Sequence, residues 1–401
     1  MISLDSARER GFDPDKLKHA FLLLDGWTHE GVVPGAAALV SRSGVVAGEA
    51  YLGLADRRTG RLVDEKTVWS LASVTKPFTA AAVMLLAEQG RVSLDEPLYG
   101  LLPEVLDGAE SPFDRRRVTL RHVLAHCSGL PGFSADNTEL RRAHKPLEDF
   151  VHSYGGQALF FEPGSHHLYS NPGILFAAEV VGRALDGTLG QRVDVPAVGR
   201  YHSFVHDRIL TALGMADSSL KPPAEWDGRI AFVEQTGQEG TDYEMANSAY
   251  YRSLGIPWGG LFSTPRDLAR FVQLFLPTAA PEGPLSRIAR QAMVSVQFSP
   301  PDARVDVAPD LRDAAAQTAP RAAVEWGIGW EVKGTKRGHP SGELTSSSTY
   351  SHLGATGTMV WGCPLTGVVC VLLTNRTLVS GWTTERPRQA LFSNAVMASL
   401  T

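Results

Sequence analysis

Ser73-Val74-Thr75-Lys76-Pro77-Phe78-Thr79-Ala80-Ala81-Ala82-Val83-Met84-Leu85-Leu86-Ala87-Glu88-Gln89-Gly90 is the stretch on which the reading of this chain turns. Thr79 to Gln89 is rich in Ala, Leu, Val and Met, and Gly90 supplies a C-terminal stop, so the run predicts a buried helix. An S-x-x-K tetrapeptide stands at its start. Three-residue spacing on a helix places the Lys76 amine one turn from the Ser73 hydroxyl, where a neutral lysine can take the serine's proton. The first N–H groups of a helix have no partner within it, so the Ser73 amide can stabilise a developing oxyanion. Pro77 is tolerated in a first turn. A second S-x-x-K, Ser218-Ser219-Leu220-Lys221, runs into Pro222-Pro223 and cannot open a helix, so the spacing alone does not make a site. The plainer reading of Ser73 is a helix cap beside a solvated lysine.

Two further stretches carry chemistry. Tyr169-Ser170-Asn171 is the only Y-x-N in the chain and lies in a turn between Pro163-Gly164 and Pro172-Gly173. A phenol whose proton is displaced toward a cation can act as a base, and Asn171 can hold the lysine or a substrate carbonyl. His352-Leu353-Gly354-Ala355-Thr356-Gly357 falls on a predicted late strand, where glycines let a ligand approach the backbone. The Ala355 N–H would be the second oxyanion donor. His29-Glu30-Gly31 and Lys336-Arg337-Gly338 have a similar form, but neither stands on a strand.

The three motifs occur together, in order, each in the right kind of element, and the set resembles the serine β-lactamase and penicillin-binding-protein-like superfamily. Tyr169-Ser170-Asn171 in place of S-D-N is similar to the class C enzymes and to family VIII carboxylesterases. Val118-Thr119-Leu120-Arg121-His122-Val123-Leu124-Ala125-His126-Cys127-Ser128-Gly129-Leu130 and Gly259-Gly260-Leu261-Phe262-Ser263-Thr264-Pro265-Arg266-Asp267-Leu268 look like structural signatures of the same group. His352 stands where the lactamases usually have lysine, and Ala355 follows the glycine where they often carry a hydroxyl residue. The resemblance therefore points to acyl transfer more firmly than to one substrate.

What it implies is a serine hydrolase that cleaves carboxylic esters or related acyl compounds through an acyl-Ser73 intermediate. Lys76 and Tyr169 would share proton transfer, Asn171 would position Lys76 or the acyl group, and His352 would tune Tyr169. The oxyanion would sit between the Ser73 and Ala355 amides. Gly354, Trp258 and Tyr154 are expected to contact substrate, the two aromatics as walls of an acyl pocket. The alternatives are a biosynthetic acyltransferase, a β-lactamase or D-aminopeptidase-type amide hydrolase, and a non-catalytic binding module. The joint presence of Ser73, Lys76 and Tyr169 argues against the last.

Composition narrows the field further. The chain has 401 residues, 43% hydrophobic and 20% charged, which is ordinary globular usage. A net charge of -5 offers no basic field for nucleic acid. Cys127, Cys363 and Cys370 are too scattered for a disulfide framework and suit a reducing compartment. The polar start lacks the apolar core of a signal peptide, and Val32 to Val40 is broken by Pro34-Gly35 and far short of the ~18 residues that span a bilayer. A soluble, cytoplasmic protein is expected, with a small-molecule acyl substrate, no membrane partner, and homo-oligomerisation left open. There is no G-x-S-x-G elbow. His122 with His126 and His202 with His206 have metal-pair spacing without H-E-x-x-H, so no metal or other cofactor is expected.

Asp13 to His29 reads as an amphipathic helix, and Ala36 to Ser41 with Val45 to Leu54 as a hairpin turning at Ser43-Gly44. Helical stretches follow at Leu120 to Ala125, Ile174 to Leu185, Phe204 to Leu213 and Pro265 to Phe275. Pro300 to Arg321 has no period and reads as a surface loop or connection. Strands return at Gly329 to Lys333, Thr349 to Leu353, Thr358 to Gly362 and Val368 to Thr374, and Arg388 to Leu400 closes with a helix. The fold class is α+β: an antiparallel sheet flanked by helices and built from both chain ends (1–68 and 323–401), with a mainly helical lobe (69–322) inserted.

Overall fold

In the computed structural model, which describes residues 1–106, 110–299 and 324–401, the two ends of the chain meet in one antiparallel sheet. Its strands are β1 (Ile2–Ser3), β2 (Gly35–Arg42), β3 (Val45–Asp56), β4 (Arg61–Leu62), β7 (Glu331–Val332), β8 (Tyr350–Gly354), β9 (Thr358–Cys363) and β10 (Val368–Thr374). The order is β1-β3-β2-β10-β9-β8-β7, with β4 on β3. The join between the ends is β2 against β10, where Leu39 faces Val371. Both strands are buried on both faces, which is why they read as continuous apolar runs rather than alternating ones. A separate two-stranded piece pairs β5 (Trp69–Ser70) with β6 (Phe262–Ser263).

Helices Pro14–His29 and Arg388–Ala398 cover one face, with Phe21 packed on Phe392 and Trp361 Nε1 donating to Ser393 Oγ at 3.0 Å. The other face carries helix Pro265–Val272, against which helix Lys76–Glu88 packs through the Phe78–Phe271 stack at 3.6 Å. Every residue from Lys76 to Leu86 is buried. At about 1.5–3 kcal/mol for each large apolar side chain removed from water, this helix is a main anchor of the helices packed around it. Helix Asn171–Asp186 packs beside it. Among the described residues no helix is long and apolar enough to cross a membrane.

The α+β expectation holds, with local corrections. Ser73 does not open the helix: it lies in a 3-10 turn, Ala72–Thr75, that precedes it. Phe204 to Leu213 is not one helix, because an α-helix ends at Val205 and passes through a wider turn, His206–Leu210, into a 3-10 turn. The strand expected from Gly329 shrinks to Glu331–Val332, since Gly329 turns left-handed at φ 75° and a strand cannot run through it. Pro300 to Arg321 lies outside the described residues.

Candidate active site

β5 delivers the chain to Leu71, whose N–H donates to the Leu261 carbonyl at 2.9 Å. Ala72 then takes φ 46°, a left-handed conformation that is uncommon for a residue with a Cβ and is held only where its surroundings enforce it. Here Thr75 enforces it: its hydroxyl donates to the Ala72 carbonyl at 2.7 Å and accepts from Leu261 N at 3.0 Å. Beyond this knot Lys76 Nζ lies 2.9 Å from Ser73 Oγ and donates to the Trp258 carbonyl at 2.9 Å. Lys76 is fully buried, and burial drives its pKa well below the usual lysine value. A charged ammonium there would forfeit several kcal/mol of hydration, so the neutral amine is favoured and its lone pair is available to Ser73.

Tyr169 stands just before helix Asn171–Asp186, which Ser170 caps by accepting from Gly173 N. Lys76 Nζ is 4.5 Å from the centre of the Tyr169 ring, and the His352 ring lies 6.3 Å from it. His352 is buried on β8, with Nδ1 2.8 Å from the Leu353 carbonyl. A carbonyl only accepts, so Nδ1 carries the proton and Nε2 presents a lone pair, buried and without a partner among the described residues. Burial first, then the neighbouring Lys76, pulls the His352 pKa down to about 3. A neutral acceptor thus occupies the place of a cationic donor.

Ala355 lies in the turn that follows β8 rather than on the strand itself. Thr356 Oγ1 donates to the Ser70 carbonyl at 2.7 Å and Thr358 Oγ1 to that of Leu71 at 2.9 Å, clamping the turn against the segment that leads to Ser73. No described hydrogen bond engages the backbone N–H of Ser73 or Ala355. Gly354 serves this clamp: a Cβ there would collide with the Leu71 carbonyl and Thr358 Oγ1.

Other expected residues sit differently. Asn171 Nδ2 donates to the Gly132 carbonyl at 2.9 Å, so it ties down the Gly132 loop while the Trp258 carbonyl holds Lys76. Trp258 therefore contributes its backbone, and its indole packs in the core, 5.8 Å from the Tyr154 ring. Tyr154 is fully buried with its hydroxyl on Asn137 Oδ1 at 2.9 Å; neither aromatic is a wall of an open pocket. What the sequence reading missed is His126, which lies 4.2 Å from the Tyr169 ring, with Trp326 edge-on behind it at 4.7 Å. Its i, i+4 spacing from His122 drew notice only as a metal pair, yet His122 caps a helix through Thr119 and the two face different surroundings. Among the described residues no three His, Cys, Asp or Glu side chains group as metal ligands.

Residues 22–392 match the Beta-lactamase family. The chain belongs to that family. This β-lactamase-family protein is accordingly a serine hydrolase, and its fold and motif order agree with that membership. It is 30% identical over 368 residues to Penicillin-binding protein 4 of Amycolatopsis lactamdurans, covering 90% of this chain and 85% of that protein. Esterase EstB of Burkholderia gladioli is 35% identical over 175 residues, which are 39% of this chain and 41% of the esterase. The crystal structure of a family VIII carboxylesterase superposes with a TM-score of 0.73 at 17% identity, covering 96% of this chain and 97% of that one, a likeness of fold.

Proposed function

We propose that this protein hydrolyses uncharged carboxylic esters through an acyl-Ser73 intermediate. The observation that carries the reading is the buried Lys76 amine, 2.9 Å from Ser73 Oγ and held by a carbonyl rather than a carboxylate. Ser73 Oγ attacks the ester carbonyl while its proton passes to Lys76 Nζ, and the oxyanion forms between the Ser73 and Ala355 N–H groups. Collapse breaks the bond to the alkoxy oxygen, which receives the proton from Lys76 through Tyr169. Water then attacks the acyl carbon, its proton returns through Tyr169, and Ser73 leaves as the hydroxyl with release of the acid. His352, neutral, offers the Nε2 lone pair beside Tyr169 without repelling the transiently charged Lys76.

The surroundings favour an uncharged substrate. Leu378 N donates to the Ala355 carbonyl at 2.9 Å, setting Val379, 67% exposed, next to the oxyanion turn. Arg376, two residues earlier, is committed to the Gly31 and Val32 carbonyls and to Glu234. The similarity to EstB, an esterase by name, points the same way. The test incubates the protein with p-nitrophenyl butyrate and with a cephalosporin, following turnover and the mass of the intact chain. We expect an acyl adduct on Ser73 and a higher kcat/KM for the ester. A higher value for the cephalosporin, or an adduct elsewhere, overturns the reading, and ester product formed with an added alcohol would redirect it to acyl transfer.

A further inference from the structure

His126 belongs to none of the three motifs, yet it binds the chain on both sides of Tyr169. Its carbonyl accepts from Leu168 N at 2.9 Å, and its Nδ1 accepts from Ser170 N at 3.1 Å. Its ring lies 4.2 Å from the Tyr169 ring, tilted by 32°. One residue therefore holds the residue before the phenol through its backbone, and the residue after it and the phenol itself through its side chain.

This arrangement is maintained against opposing terms. His126 has φ 56°, left-handed for a residue with a Cβ, at a cost of about 1–3 kcal/mol. Because the Ser170 N–H must donate, Nδ1 carries a lone pair and the ring proton sits on Nε2, which is fully buried with no partner among the described residues. A leucine or phenylalanine would bear the same left-handed backbone and bury no unpartnered N–H, but would leave Ser170 N without its acceptor, so packing alone does not account for an imidazole. Trp326 holds the ring from its edge, with ring planes at 87°.

We propose that His126 is a positioning residue for Tyr169, its neutral ring fixing the plane in which the phenol passes a proton between Lys76 and the leaving oxygen. The inference rests on the reading of Tyr169 as a proton-transfer group. A doubly protonated ring would have no lone pair to accept from Ser170 N and would repel Lys76 whenever that carries the proton. The titratable groups around the phenol are Lys76 from the helix Lys76–Glu88, His352 from β8, and His126 with His167, whose rings meet at 6.1 Å.

The test compares His126→Phe, which keeps an aromatic face and loses the acceptor, with His126→Asn, which keeps an acceptor near Nδ1 and tolerates a left-handed backbone. Tyr169 ionisation is followed by ultraviolet difference titration, each protein against its own Tyr169→Phe partner. For His126→Phe we expect kcat to fall ~10- to 100-fold with KM within about threefold, the signature of a misplaced group. The Tyr169 titration should move by more than about half a pH unit, and His126→Asn should recover part of both. A folded His126→Phe with an unchanged titration and kcat within about threefold of the original overturns the inference. Should His126→Phe fail to fold, His126→Asn decides: an unmoved Tyr169 titration in that variant is equally fatal. The titration needs no turnover, so a protein that hydrolyses no ester would refute the ester reading and still leave His126 to be judged.

Discussion

Ser73-Val74-Thr75-Lys76 and Ser218-Ser219-Leu220-Lys221 share a pattern and lie by the same short strand, β6, the first just after its partner β5 and the second bridged to it. Ser70 pairs with Phe262 in β6, and Ser219 bridges to Phe262 as well. In the first copy the lysine is buried 2.9 Å from its serine. In the second, Ser218 Oγ is spent on Ser263 Oγ at 2.7 Å and Asp267 Oδ2 at 3.0 Å, while Lys221 points to an exposed surface. The first copy runs into a helix, so residues three apart stack on one side. Pro222-Pro223 keeps the second extended, and its serine and lysine part. A nucleophile needs its base within reach and its own oxygen uncommitted, and only one copy meets both conditions.

The sharpest way to break this comparison is to delete each serine. Ser73→Ala should lower p-nitrophenyl ester hydrolysis by ~10⁴-fold or more, as loss of an activated nucleophile does, while Ser218→Ala should leave activity per folded molecule unchanged. Equal losses would sink the assignment. Next come the bases: Lys76→Ala or Tyr169→Phe should each reduce kcat by ~10²- to 10⁴-fold, against no change for Lys221→Ala, measured by steady-state kinetics.

A pH series sharpens the contrast, because each lysine has a histidine beside it, His352 buried and His202 half-buried. Burial, then Lys76, holds His352 near 3; burial, then Lys221, holds His202 to about 4. Both folded values lie below the ~6.5 of a free imidazole. Above that pH both states are neutral and the full stability is present. As pH falls below it the unfolded chain takes a proton that the folded one refuses, so stability is lost by up to ~1.4 kcal/mol per pH unit for each group, down to its folded value. Urea midpoints between pH 7.5 and 4.5 should drop less steeply in His352→Asn and in His202→Asn, and the rate profile should show no His352 limb near neutrality. The smallest effect is expected for Ser218→Ala, about 1–3 kcal/mol in urea unfolding, because the buried Asp267 carboxylate loses a donor.

Much of the fold was legible because its signals are local. The paired runs around Ser43-Gly44, the period-free apolar β10 and the Ala-rich helix ending near Gly90 all declare themselves within a dozen residues, and the structure places their ends within about three residues. Ser73, Lys76, Tyr169 and His352 could be proposed from the sequence for the same reason, since their order and local elements are written along the chain. Tyr154 and the Trp258 indole were misplaced, because an aromatic near a motif in sequence carries no sign of which way it faces. His126 was overlooked because its partners lie some forty residues away, at Leu168 to Ser170.

The sequence by itself determined the residue types, their spacing and the alternation of elements, which suffice for an α+β fold of the β-lactamase family and for a serine with a lysine one turn on. Only the tertiary structure decided that Lys76 is stripped of water, that the Trp258 carbonyl and not Asn171 holds it, that His352 is a neutral acceptor, and that His126 brackets Tyr169. These are properties of burial and of contacts between distant segments. Neither protonation nor a hydrogen-bond partner is encoded in spacing; both follow from the dielectric and the neighbours that folding brings to each atom.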